Sequence, residues 1–249
     1  MKSKTRERPI LFSGPMVRAI LEGRKTQTRR AVKPRDPTWT YSCVDDADGQ
    51  AWLYESDDVG EWHEAACPYG EPGDRLWVRE TWRCTGGADR KGIIYRADEG
   101  GRIPDAFALL GLDELGRKWL DHGQWPDWDR LVYDTAQSTT WRPSIHMPRW
   151  ASRINLEVMG VRIERVQEIS EEDAQAEGVD AADDYPGYCP ECHGYGVTGC
   201  CCDYSQDCVT CATAKGRFSA LWDSINAKRG FSWNTNPWVW VISFRRTED

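Results

Sequence analysis

After the Gly73-Asp74 turn, Arg75-Leu76-Trp77-Val78-Arg79-Glu80-Thr81-Trp82 alternates apolar and polar residues. That period of two predicts a half-buried strand with two chemically different faces. Comparable short runs recur at 28–33, 92–96, 131–133 and 238–244, and 154–158 with 161–166 reads as a hairpin turning at Met159-Gly160. Helical spacing is confined to few places. Met16, Val17, Ile20 and Leu21 follow Ser13-Gly14-Pro15 and precede Gly23, a weaker helical stretch spans 105–120, and Phe218, Leu221, Trp222 and Ile225 mark one face of a helix closed by Gly230. Ser170-Glu171-Glu172-Asp173 has the form of a capping box, so a short helix should carry Glu177. Many short strands with few helices between them predict an α+β fold built on a small β-barrel with excursions.

At 249 residues the chain is long enough for one large domain with insertions or two small ones. Mean hydropathy is low, at -0.68, yet 40% hydrophobic residues and fourteen tryptophans exclude a disordered chain, which lacks aromatics to bury. Only Ile10-Leu11-Phe12 follows the basic 1–8 segment, and no apolar run approaches membrane-spanning length. The expectation is a soluble cytoplasmic protein, of bacterium or phage-infected host, with no membrane partner.

The net charge of -8 is unevenly spread. Residues 1–35 hold eleven Lys/Arg against Glu7 and Glu22, whereas 36–70 hold nine Asp/Glu and no Lys or Arg. A basic segment of this kind can meet phosphate while the acidic remainder discourages indiscriminate binding.

Seven of the ten cysteines lie between 189 and 211. Cys189-Pro190-Glu191-Cys192 and Cys208-Val209-Thr210-Cys211 form two CxxC pairs with fifteen residues between them, the spacing of a structural four-thiolate zinc site. Cys200, Cys201, Cys202 and His193 leave the choice of ligands open, and a closed site of this type has no coordination position for substrate.

Four segments together resemble an ASCH domain in the longer form common in phages and prophages. They are Gly23-Arg24-Lys25-Thr26-Gln27-Thr28-Arg29, Gly73-Asp74-Arg75-Leu76-Trp77-Val78, Ile169-Ser170-Glu171-Glu172-Asp173-Ala174-Gln175-Ala176-Glu177-Gly178 and Asn236-Pro237-Trp238-Val239-Trp240-Val241-Ile242. The resemblance implies a discontinuous PUA-like domain over 9–34, 72–179 and 216–246, interrupted by an acidic insertion at 36–71 and a Cys-rich insertion at 180–215. It also implies a small curled barrel that binds RNA or a modified nucleoside. A small member of the family hydrolyses the acetyl amide of acetylcytidine with a lysine, a threonine and a glutamate, which map onto Lys25, Thr28 and Glu177.

Those residue types suit the reaction. Amide hydrolysis needs a nucleophile, a base to activate it and an acid for the departing amine, roles open to the Thr28 hydroxyl, Lys25 amine and Glu177 carboxyl. Lys25 must then be partly neutral, through burial or through cationic neighbours such as Arg24, Arg29 and Arg30. These three arginines are also candidates for nucleic-acid contact. So are Trp141, Arg149, Trp150 and Arg153 in the segment 141–153, where indole planes and guanidinium groups interleave as in single-strand binding sites. Two alternatives remain open: a metal-dependent nuclease on single-stranded RNA, and a noncatalytic adaptor in phage growth that docks proteins through its insertions.

Overall fold

The computed structural model describes residues 5–33, 40–45, 51–56, 62–87, 90–98, 141–179 and 213–247. Elements are numbered in chain order among them. They comprise β1 (Glu7–Leu11), α1 (Gly14–Leu21), β2 (Gln27–Ala31), β3 (Thr40–Asp45), β4 (Ala51–Ser56), β5 (Trp62–Glu64), β6 (Arg75–Arg79), β7 (Trp82–Gly87) and β8 (Arg90–Tyr95). After these come β9 (Asn155–Arg165), α2 (Glu171–Ala176), α3 (Ala214–Asn226) and β10 (Trp238–Thr247). The fold is α+β, as the alternation predicted. One sheet has the order β1-β6-β9-β10-β2, a second β3-β4-β5, and β7 pairs with β8.

The segment expected to form a hairpin at Met159-Gly160 is instead one eleven-residue strand. Its burial alternates on both sides of an exposed Met159, and Gly160 has no positive φ that would mark a turn. The acidic 36–71 segment carries the antiparallel β3-β4-β5 sheet, with Thr40 opposite Ser56 and Tyr54 opposite Glu64. The expected 105–120 helix, the 131–133 strand and the whole CxxC region lie outside the described residues.

The chain divides into two compact units: Met1–Arg8, Ala19–Leu76 and Leu156–Asp249 form the first, and Pro9–Arg18 and Trp77–Asn155 the second. In the first unit, Val166, Ile169, Ala174, Phe218, Trp222, Val239 and Val241 pack as one core. Helix α3 contributes Phe218 and Trp222, four apart and therefore on one face. Its N-terminus is closed by Thr213, whose hydroxyl accepts from Gly216 N at 3.0 Å, and by the Glu171 carboxylate, which accepts from Ala214 N and Lys215 N. In the second unit Trp82, Met147 and Ala151 form the buried cluster, with Ile93, Tyr95 and Trp150 against it.

No helix among the described residues is long and apolar enough to cross a membrane.

Candidate active site

Helix α1 stops at Gly23, in left-handed backbone at φ +76°, and the chain folds back so that Arg24 N and Lys25 N both donate to Ala19 O. Thr26 N then donates to Ala176 O at 2.9 Å, which lashes the entry to β2 onto the end of α2. Strand β2 is fixed by antiparallel pairing to β10, with Thr28 opposite Ile242 and Arg30 opposite Trp240.

Helix α2 starts at Ser170, whose hydroxyl accepts from Asp173 N at 3.1 Å, and ends with Glu177 as its C-cap. Gly178 follows at φ +83°. A Cβ on that residue would stand 2.9 Å from Ala19 Cβ and 3.0 Å from Lys25 Cβ, so only glycine lets the two segments approach. Gly178→Ala is therefore expected to cost about 1–3 kcal/mol through backbone strain alone, more with the clash, as a lower midpoint in chemical denaturation. An unchanged midpoint would show that the close approach is not required.

The result is a contact spanning most of the chain. Lys25 Nζ donates to Glu177 Oε2 at 2.7 Å, to Glu177 O at 2.9 Å and to Gln27 O at 2.8 Å, and the two side chains are 0% and 4% exposed. Of the three predicted residues the structure thus brings Lys25 and Glu177 together, and the bond to Gln27 O ties the amine to the backbone just before Thr28. Thr28 is itself buried. Burial is the largest influence on the Lys25 ammonium and lowers its pKa below the ordinary 10.5; Glu177 opposes this, while Arg30 and Arg29 add to it by like-charge repulsion.

Arg29, expected to meet nucleic acid, is fully buried and makes five hydrogen bonds. Nε and Nη2 donate to Glu164 Oε1, Nη2 to Asp173 Oδ2, and Nη1 to Gln27 Oε1 and Glu177 Oε1. Asp173 also pairs with Arg162. The guanidinium thus holds Glu177 from the side opposite Lys25, and its five donors are all used. Nothing in the sequence spacing points to this hub, because Glu164 and Asp173 lie more than a hundred residues from Arg29.

Arg24 reaches Glu22 Oε2 and Gly178 O, and Arg30 stacks over the Tyr69 ring at 6.0 Å. Cys67 offers no competing nucleophile at neutral pH, since burial pushes its thiol up to about 11.

The tryptophan–arginine segment is built differently from the predicted single-strand platform. Arg153 donates from Nε and Nη2 to Glu80 and from Nη1 and Nη2 to Asp98, at 2.8–3.0 Å, and stacks 4.0 Å over Tyr95. Four of its donor interactions are therefore spent on carboxylates. Arg149 lies 5.9 Å over Trp77, Arg83 4.6 Å over Trp141, and Trp150 meets Trp82 edge-on at 5.8 Å. Guanidinium groups thus stack on the chain's own indoles.

Among the described residues no group of three or more His, Cys, Asp or Glu is placed to hold a metal ion. No protein-family model, curated protein or solved structure matches the chain.

Proposed function

We propose that this chain is an ASCH-type protein with a PUA-like pocket, which binds RNA or a modified nucleoside and hydrolyses the acyl amide of N4-acetylcytidine. One observation carries the reading: Lys25 and Glu177, 152 residues apart, meet in a dry 2.7 Å contact. A buried ammonium–carboxylate pair can pass to its neutral tautomer by moving one proton along that hydrogen bond. The neutral tautomer consists of an amine and a carboxylic acid, the base and the acid that amide cleavage needs.

The cycle then balances. Thr28 Oγ attacks the acetyl carbonyl as its proton passes to Lys25 Nζ, and the C–N4 bond breaks as Glu177 protonates N4, leaving an acetyl ester on Thr28 and the ion pair between Lys25 and Glu177. Water attacks the ester and gives its proton to Glu177; the C–Oγ bond breaks as Lys25 returns its proton to Oγ. Acetic acid, which gives up its proton to solvent as acetate, and cytidine leave, and the neutral pair is restored. The hub at Arg29 keeps the Glu177 carboxyl from rotating away between steps.

The test is acetate release from N4-acetylcytidine by the purified chain, with Thr28→Val as the control that lacks only the hydroxyl. Turnover by the wild type and loss of at least ~100-fold in Thr28→Val are expected. Nucleoside binding without acetate release would reduce the chain to a binding module. Strand cleavage of RNA that requires a divalent metal would replace the amidohydrolase with the nuclease.

A further inference from the structure

A cavity of about 410 Å3 lies within the second compact unit, and none of its lining residues is given a role above in amide hydrolysis. Its wall is formed by Gly14 and Pro15 at the start of α1, Arg18 one turn on, Glu80-Thr81 after β6, and Arg96-Ala97 in the 3-10 turn Arg96–Asp98. These three segments are stitched together. Arg18 Nη1 donates to Ala97 O at 3.1 Å, and Arg96 N donates to Thr81 O at 2.9 Å. The first bond orients the Arg18 guanidinium without using a carboxylate, so its other donors remain available to a guest.

The charge balance favours an anion. Among the described residues of the wall Glu80 is the one acid, and its two oxygens already accept from Arg153 Nε and Nη2 at 2.9 and 3.0 Å. Among the described residues neither Arg18 nor Arg96 is ion-paired, so the wall presents two guanidinium groups, the Thr81 hydroxyl and the first turn of a helix. Among the described residues of the wall none is aromatic. The volume falls within the usual range for small-molecule sites and exceeds what a bare phosphate fills.

We propose that this cavity binds a phosphate group carried on a small polar molecule, the phosphate being held by Arg18 and Arg96 beside Thr81. The phosphate fixes the position of the ligand and the remaining volume takes its hydroxylated body. Calorimetric titration of the full chain with inorganic phosphate, ribose 5-phosphate and ribose tests this. Both phosphates bind, ribose 5-phosphate more tightly, and ribose does not. Arg18→Gln and Arg96→Gln each weaken ribose 5-phosphate binding by about tenfold or more, and added salt weakens it in the wild type. Arg96 is exposed, so Arg96→Gln keeps the wild-type unfolding midpoint and its loss of affinity is not a loss of fold. Thr28→Val, in the other unit, keeps its phosphate affinity, which separates a failure here from a failure of amide hydrolysis. Absence of binding by either phosphate at millimolar concentration, unchanged affinity in both arginine variants, or equal binding of ribose would overturn the assignment.

Discussion

Arg153→Met is expected to destabilise the protein by about 3–5 kcal/mol, the range for removing one partner from a buried ion pair. One guanidinium neutralises two carboxylates here. Glu80 is 1% exposed, and burial raises its pKa above the ordinary 4.5 while Arg153 pulls it down. Without Arg153 the restraint is lost, so the Glu80 carboxylate must either stay charged in a dry site or take up a proton on folding. The sign of the pH dependence follows. A folded-state pKa raised above the unfolded value makes stability fall as pH rises through that folded pKa, so the deficit of Arg153→Met is largest near neutrality and shrinks towards pH 4.5. Adding Glu80→Met to Arg153→Met removes the stranded charge and should recover much of the loss, since an apolar pair of similar volume is often as stable as the ion pair it replaces. Chemical denaturation followed by tryptophan fluorescence, at several pH values, measures both effects. Were Arg153→Met to keep wild-type stability but lose RNA affinity together with its salt dependence, the residue would serve phosphate as the sequence first suggested.

Arg153 also shows what a sequence conceals. Read along the chain, it belongs to a run of tryptophans and arginines, and that pattern is the same whether the guanidinium groups face a nucleic acid or the protein's own rings and carboxylates. Its partners Glu80 and Asp98 lie 73 and 55 residues away and have no periodic relation to it. Arg29 is hidden for the same reason: a basic residue between Thr28 and Arg30 looks like surface charge until β9 and α2 supply Glu164 and Asp173. Local physics was easier to read. The alternation of 75–79, the Ser170 cap and the glycine stops at Gly23 and Gly230 all depend on near neighbours, and each appears in the fold as an element or an element end. Met159-Gly160 misled because a turn dipeptide was inferred from composition alone. Exposure of Met159 and open space beside Gly160 let the strand run straight through.

Lys25→Met should reduce acetate release by about 100- to 10,000-fold, the usual contribution of a positioned acid or base, with the decrease mainly in kcat. The pH profile discriminates between chemistry and architecture. The active pair holds one proton shared between Lys25 and Glu177, so the wild-type rate is level with pH until that proton is lost through a Lys25 pKa lowered by burial, hence below 10.5, and falls above it, whereas the residual activity of Lys25→Met lacks that fall. Stability moves the opposite way. Between the depressed folded pKa and 10.5 the unfolded chain binds the proton that the folded chain has released, so wild-type stability increases with pH across that window and Lys25→Met shows no such increase. Glu177→Gln preserves shape and a hydrogen-bonding oxygen for Arg29 but removes the proton exchanged with Lys25, so it should lose turnover more completely than nucleoside affinity. It also leaves Lys25 as a buried amine without an anion, which pushes its pKa lower still, because Glu177 is the partner that raises it. A Lys25→Met protein that folds and turns over within tenfold of the wild type would sink the proton-exchange mechanism. A wild-type rate that rose with pH up to 10.5 would do so equally, since the pair would then be active only after losing the proton it must give to N4.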